Sequence, residues 1–234
     1  MKLKKCALIL LSAACLLTAL TACWSRGGVT AEDATAYIQG VLDADYKGIY
    51  NKDYIDLVED MTEAQAKAEH QNNVEIEAEY LIGFLDIEYP NDAVTAKAQE
   101  LIEKIYSHAK YTVGKASKMD NGDYALEVKL SPIEVVSLIP EETYSEVYEQ
   151  VLADNDLGYE EVFSDEELYI MMDAEYGMAI LAELEALLPQ LTYGREQSIM
   201  FQLALGDDGY YTLSGTAYQT LDEKMIDYYG SYMN

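Results

Sequence analysis

The chain has 234 residues, half of them hydrophobic, with 15 Lys and Arg against 43 Asp and Glu. That is enough apolar material for one large or two small domains, and too much for a disordered polyanion. A formal charge of -28 and a pI near 4.1 exclude nucleic acid and anionic membrane surfaces as electrostatic partners, since both demand clustered Lys and Arg. Three Cys, two His and one Trp supply little material for nucleophiles, metal sites or general bases.

Residues 1–22 read as a signal peptide: Lys2, Lys4 and Lys5, an uncharged run from Cys6 to Leu20, then Thr21-Ala22 before Cys23. A transmembrane anchor is the alternative, because the uncharged run continues to Ser25 and a span takes about 20 apolar residues. Leu20-Thr21-Ala22-Cys23 resembles the lipobox of bacterial lipoproteins. The resemblance implies a diacylglyceryl group on the Cys23 thiol, cleavage before it, and Cys23 as the first mature residue. Ser12-Ala13-Ala14-Cys15 competes, but it leaves an apolar region of only about eight residues, near the lower limit for a signal. Two acyl chains hold a protein on a membrane where one binds reversibly. Cleavage would leave 212 residues with a charge of -31 and one Cys, which the lipid consumes, so no disulfide is expected.

Trp24 to Val29 form a short tether, and Thr30 then offers an N-cap before Glu32 and Asp33. Ala34, Tyr37, Ile38, Val41, Leu42 and Tyr46 follow the helical i, i+3, i+4, i+7 pattern. Thr62-Glu63-Ala64-Gln65 has capping-box spacing and opens a helix to about Phe84. Asp92 opens another, with Val94, Ala98, Leu101, Ile102 and Ile105 inward. The period then becomes two: Tyr111 to Met119 and Tyr124 to Leu130 flank Asp120-Asn121-Gly122-Asp123, a hairpin with Tyr124, Leu126, Val128 and Leu130 on its buried face.

Pro140 starts a helix with Tyr144, Val147, Tyr148, Val151 and Leu152 inward, and a loop runs through Asn155 and Gly158. Ser164-Asp165-Glu166-Glu167 reads as a capping box for a long helix to Pro189, carrying Leu168, Met171, Met172, Ala179, Ile180, Leu184 and Leu187 on its apolar stripe. Ile199, Phe201, Leu203 and Leu205 alternate toward a turn at Asp207-Asp208-Gly209, with a return strand around Tyr211 to Tyr218 and a last helix from Leu221 to about Tyr229. The fold class expected is α+β: an antiparallel sheet of about four strands, built from two hairpins, with helices packed on one face. Two separate helix-plus-hairpin lobes are the alternative, disfavoured because an isolated hairpin is marginal in water.

The stretch Ala31 to Asp43, with Tyr46-Lys47-Gly48, is similar to lipoproteins of Gram-positive anaerobes that carry a domain of unknown function. So are Tyr111-Thr112-Val113, the turn at Gly122, Ser131-Pro132-Ile133 and Asp208-Gly209-Tyr210. The resemblance spans nearly the whole mature chain and implies no catalytic residues.

Asp43-Ala44-Asp45-Tyr46-Lys47-Gly48 starts like a calcium loop but puts Lys47 and Tyr54 where oxygen ligands belong. The acidic run Asp154 to Asp165 misplaces its Gly by one position and reads as an interhelical loop, with a weak calcium site there as the alternative. His70 and His108 lack zinc spacing and read as surface residues; no serine elbow or phosphate loop occurs. No catalytic, metal-ligating or cofactor-binding residue is assigned. Most of the 21 Tyr, among them Tyr37, Tyr148 and Tyr176, are expected in the core, with a dedicated aromatic binding platform as the alternative.

The expectation is a membrane-anchored surface lipoprotein: residues 1–22 the signal, 23–29 the lipidated Cys23 and tether, 30–234 a single α+β ectodomain on the extracellular face of the cell membrane. Its function is expected to be a non-catalytic binding module, with another envelope protein or a peptide as partner and no nucleic acid. A cell-envelope hydrolase using a carboxylate pair is the alternative, and a transporter's solute-binding component a third.

Overall fold

The computed structural model describes residues 28–58, 61–207 and 209–232. The signal, Cys23 and the tether up to residue 27 lie outside the described residues. Thr30 caps α1 (Ala31–Lys47): it accepts from the Asp33 amide at 3.2 Å, while the Asp33 carboxylate takes the Thr30 amide at 2.8 Å. Gly48 ends the helix in the left-handed conformation, so the calcium-like Asp43 to Gly48 stretch is a closing helical turn. A short helix that periodicity does not reveal, α2 (Lys52–Leu57), then packs Tyr54 against Gly40 of α1. Thr62 and Gln65 form the predicted capping box of α3 (Glu63–Phe84), and Asn91 caps α4 (Asp92–Tyr106), which packs on α3 and buries Leu101, Ile102 and Ile105.

The first hairpin comprises β1 (Lys110–Val113), β2 (Ser117–Lys118) and β3 (Tyr124–Ser131). The predicted first strand is broken between β1 and β2. At the break the Gly114 amide bonds Glu127 O, and a β-carbon on Gly114 would stand 2.9 Å from that oxygen. Gly122 takes positive φ in the turn, as an Asn-Gly hairpin requires. The second hairpin joins β6 (Gln197–Leu205) to β7 (Tyr211–Ser214).

The hairpins unite through β3 and β6, which pair antiparallel with Leu126 opposite Phe201 and Val128 opposite Ile199. The sheet order is β1-β3-β6-β7, with β2 on β3 and every pairing antiparallel. Its inner face carries Tyr124, Leu126, Val128, Leu130, Ile199, Phe201 and Leu203, all buried, while Glu127, Lys129, Ser198 and Met200 are exposed on the other. The expected one-faced α+β architecture is therefore the observed one. A separate pair, β4 (Ile133–Glu134) with β5 (Thr192–Tyr193), stands beside this sheet.

Pro140 opens α5 (Glu141–Asp154) as predicted. The acidic stretch after it is not all loop: α6 (Tyr159–Ser164) occupies its centre, started by Gly158, whose amide donates to the Glu161 carboxylate at 2.9 Å. The cap of α7 (Glu166–Leu187) is Asp165 rather than Ser164; its carboxylate accepts from the Glu167 and Leu168 amides. Met171 and Leu205, placed on buried stripes by periodicity, are both exposed. The last helix, α8 (Ala217–Met225), begins and ends earlier than predicted, so Tyr218 belongs to the helix and not to β7. It packs on β6 and β3 beyond the end of β7. Asp227 then gathers the Ser231 and Tyr232 amides at 2.9 and 2.8 Å. One apolar core runs from Val29 to Tyr228, and a smaller cluster of Val151, Leu152, Val162 and Met172 joins α5, α6 and α7.

Candidate functional site

Among the described residues, buried carboxyl groups gather where α1, α3 and α8 meet. The apolar stripe of α1 includes an acid, Asp45, between Leu42 and Tyr46, and folding presses it against α8. Tyr218 of α8 donates to Asp45 Oδ2 at 2.5 Å; reciprocally, Tyr46 of α1 donates to Asp222 Oδ1 of α8 at 2.7 Å. On the α3 side Tyr228 donates to Glu77 Oε1 at 2.5 Å. The Tyr106 hydroxyl is buried without a hydrogen bond of ordinary geometry, yet it faces Glu77 closely enough to favour the ionised carboxylate. Tyr46 stacks edge-on against Tyr106 at 5.1 Å and lies parallel to Tyr218 at 6.5 Å.

Three half-buried carboxylates thus share one region, each taking a tyrosine hydroxyl. Loss of water pushes Asp45 up to about 7, with Glu69 and Asp222 adding repulsion against the opposing Tyr218 bond. Glu77 is likewise raised to about 7 by desolvation and by Asp222. Asp222 is raised by its own burial, and Tyr46, Tyr106 and Tyr228 are held well above the usual phenol range, so they stay donors. Burial thus makes Asp45 and Glu77 hold their protons more strongly than exposed carboxyl groups do. Beyond this region, Tyr111 donates to Asp43 at 2.7 Å.

Among the described residues, two open depressions stand out on the surface. One, of about 510 Å³, lies between β6, the end of β7 and α8 and is lined mainly by Ser, Thr and Gln, with Met200 and Lys224. The other, of about 530 Å³, lies between α5 and α7 at Val151, Asp154, Met171, Glu175 and Met178. Neither includes Asp45, Glu77 or Asp222, so these carboxylates do not line either space as a glycosidase pair would.

Of the residues that sequence reading singled out, Cys23 lies outside the described residues. Among the described residues no group of three or more His, Cys, Asp or Glu is placed to hold a metal ion. His70 is half-buried and not a plain surface residue: its Nδ1 lies 2.8 Å from Asp45 O, next to Asn73 Nδ2 at 3.3 Å from the same oxygen. His108 is exposed at the end of α4, where its carbonyl accepts from Tyr193. Tyr37 and Tyr176 are buried as expected, and Tyr148 is half-buried. Sequence reading missed the carboxylate and tyrosine region, although one signal was present: an Asp three positions after Leu42, on the face that carries Leu42 and Tyr46.

No family model matches the chain, and no curated protein matches it in sequence. Its fold resembles a solved structure described as that of a putative lipoprotein (ycdA) from Bacillus subtilis, with a TM-score of 0.55 and 14% sequence identity. The match covers 83% of this chain and 56% of the other, so the chain spans little more than half the length of that structure. At this identity the likeness is one of fold.

Proposed function

We propose that this is a lipid-anchored lipoprotein of the extracellular face of the cell membrane, cleaved before Cys23 and carrying a diacylglyceryl group there. Residues 30–234 then form a single ectodomain that acts as a non-catalytic binding module for another envelope protein or peptide. The observation that carries the reading is Leu20-Thr21-Ala22-Cys23 directly behind a basic start and an uncharged apolar run. Three further facts support it. The fold resembles that of a protein described as a putative lipoprotein. No helix among the described residues is long and apolar enough to cross a membrane. Val29, six positions after Cys23, is already buried, and its carbonyl receives the Tyr124 hydroxyl at 2.6 Å.

Six residues span at most about 20 Å even fully extended, so a lipid on Cys23 keeps Val29 and the ectodomain beside the bilayer. The acid excess repels it from an anionic surface, which leaves the lipid as the sole attachment and keeps the domain's faces open to partners. Metabolic labelling with a fatty-acid analogue tests the anchor: the wild-type chain takes the label and Cys23→Ser does not. Label retained by Cys23→Ser refutes it.

A further inference from the structure

Six aromatic rings form a continuous chain through the α5–α7 region. From Tyr176 they run through Tyr148, Tyr159, Phe163 and Tyr169 to Tyr89, each centroid between 5.6 and 6.2 Å from the next. The chain starts in the core, where Tyr176 donates to Leu85 O at 3.1 Å, and it emerges on α6. There Tyr159 is 46% and Phe163 64% exposed, one helical turn apart, with ring planes within 12° of each other. Phe163 also meets Tyr169 of α7 at 5.6 Å, so the exposed rings are joined to one another and not isolated residues. Tyr176, Tyr148 and Tyr169 serve the core, the last two packing on the small cluster of Val151, Leu152, Val162 and Met172, whereas Tyr159 and Phe163 belong to neither apolar cluster.

The charge around the rings is of one sign. From Leu130 to Gly194 the chain has sixteen Asp and Glu and no Lys or Arg. Exposed Glu160, Glu161, Asp165, Glu166 and Glu167 interleave with Tyr159, Phe163 and Tyr169. Among the described residues, the one acid of that stretch seen in salt bridges is Glu185, bound to Lys97 and Lys104 near the end of α7. The carboxylates beside the rings have no cation of their own.

Exposed rings set among carboxylates that make no ion pair match one side chain better than any other. A guanidinium lies flat on a ring while its N–H fork meets a carboxylate; an ammonium, compact and strongly hydrated, does the first poorly and the second with less geometric definition. We propose that the α6–α7 aromatic surface docks an arginine-bearing cationic segment of another envelope protein. The proposal rests on the binding-module reading above and gives that module its contact surface and the chemistry of its partner. A second copy of the chain does not meet the requirement, since its two Arg, Arg26 and Arg195, stand singly in the sequence.

The direct test uses the full chain in detergent and a fluorescein-labelled peptide of about a dozen residues alternating Arg and Leu, with Lys/Leu and Glu/Leu counterparts, read by anisotropy. The Arg peptide should bind at least about fivefold more tightly than the Lys peptide, and the Glu peptide not at all. Raising NaCl from about 50 to about 300 mM should weaken the Arg peptide about tenfold. The pair Tyr159→Ser with Phe163→Ser, and separately the triple change of Glu160, Glu166 and Glu167 to Gln, should each cost at least about fivefold, with Met200→Ser as an exposed control that changes nothing. A circular-dichroism melt of each variant confirms folding, and the charge variant keeps every ring in place.

Equal binding of Arg and Lys peptides, or wild-type binding by the ring variant, overturns the proposal and reduces the effect to general polyanion attraction. In cells, a photo-crosslinker at position 163 should capture an envelope protein in a manner lost with the Glu to Gln triple variant. Capture from position 200 but not 163 refutes this surface and spares the binding-module reading; capture from neither refutes both.

Discussion

Tyr218 of α8 donates its hydroxyl to Asp45 of α1 at 2.5 Å, across 173 positions of sequence, at a carboxyl group raised to about 7. The unfolded Asp titrates near 3.8, so between about pH 4 and 7 the folded chain keeps a proton that the unfolded chain releases. Glu77, raised to about 7 from 4.5, acts in the same sense, faced by Asp222, Tyr228 and Tyr106. The stabilisation is complete below the unfolded values and is lost as pH rises through 7, at up to about 1.4 kcal/mol per pH unit for each group. Melting temperature should therefore fall from pH 5 to pH 8.

General repulsion in a chain of charge -28 pulls the same way, and a matched control separates the two. Asp45→Asn with Glu77→Gln should flatten the fall, whereas exposed Glu79→Gln with Glu103→Gln removes the same formal charge and should leave most of it. Identical pH profiles for the two pairs would show that the half-buried carboxylates contribute nothing special.

Two helical glycines should respond oppositely to alanine. A β-carbon on Gly40 would stand 2.4 Å from both Cβ and Cγ of Tyr54, so Gly40→Ala forces α1 and α2 apart. Despite the better helix propensity of Ala, the cost should be about 1–3 kcal/mol. Gly83 in α3 has no atom within 4 Å of the same position, and Gly83→Ala should stabilise by about 0.5–1 kcal/mol. Urea unfolding of both variants checks the signs; stabilisation by Gly40→Ala would place α2 elsewhere.

Neighbouring residues of β6 test the one-faced sheet. Phe201 is 1% exposed opposite Leu126, and Met200 is 62% exposed on the other face. Phe201→Ala should cost about 3–5 kcal/mol and Met200→Ala less than about 0.5 kcal/mol. Comparable losses at the two positions would mean that the outer face is covered as well.

Local chemistry made much of this fold legible. Thr30 and Thr62 sit three residues before a matching side chain, and Tyr124 to Leu130 alternates strictly because one face of β3 meets helices and the other meets water. What escaped was short or non-local. The helices α2 and α6 have six residues each, too few for a period to show, and at α7 Ser164 and Asp165 compete for one cap. Met171 and Leu205 continue their stripes past the edge of the core, where periodicity persists but burial ends. The raised carboxylates were invisible for a related reason: Asp45 owes its environment to Tyr218 and Asp222, which only the folded chain brings to it. The exposed rings of α6 escaped with the helix that carries them.

The central claim is the lipid on Cys23, and mass spectrometry of the N-terminal peptide of the membrane-extracted protein tests it most directly. The account predicts a peptide that begins at Cys23 and weighs more than its sequence by a diacylglyceryl group. A peptide that begins at Met1, at Cys15, or at an unmodified residue beyond Cys23 would contradict it.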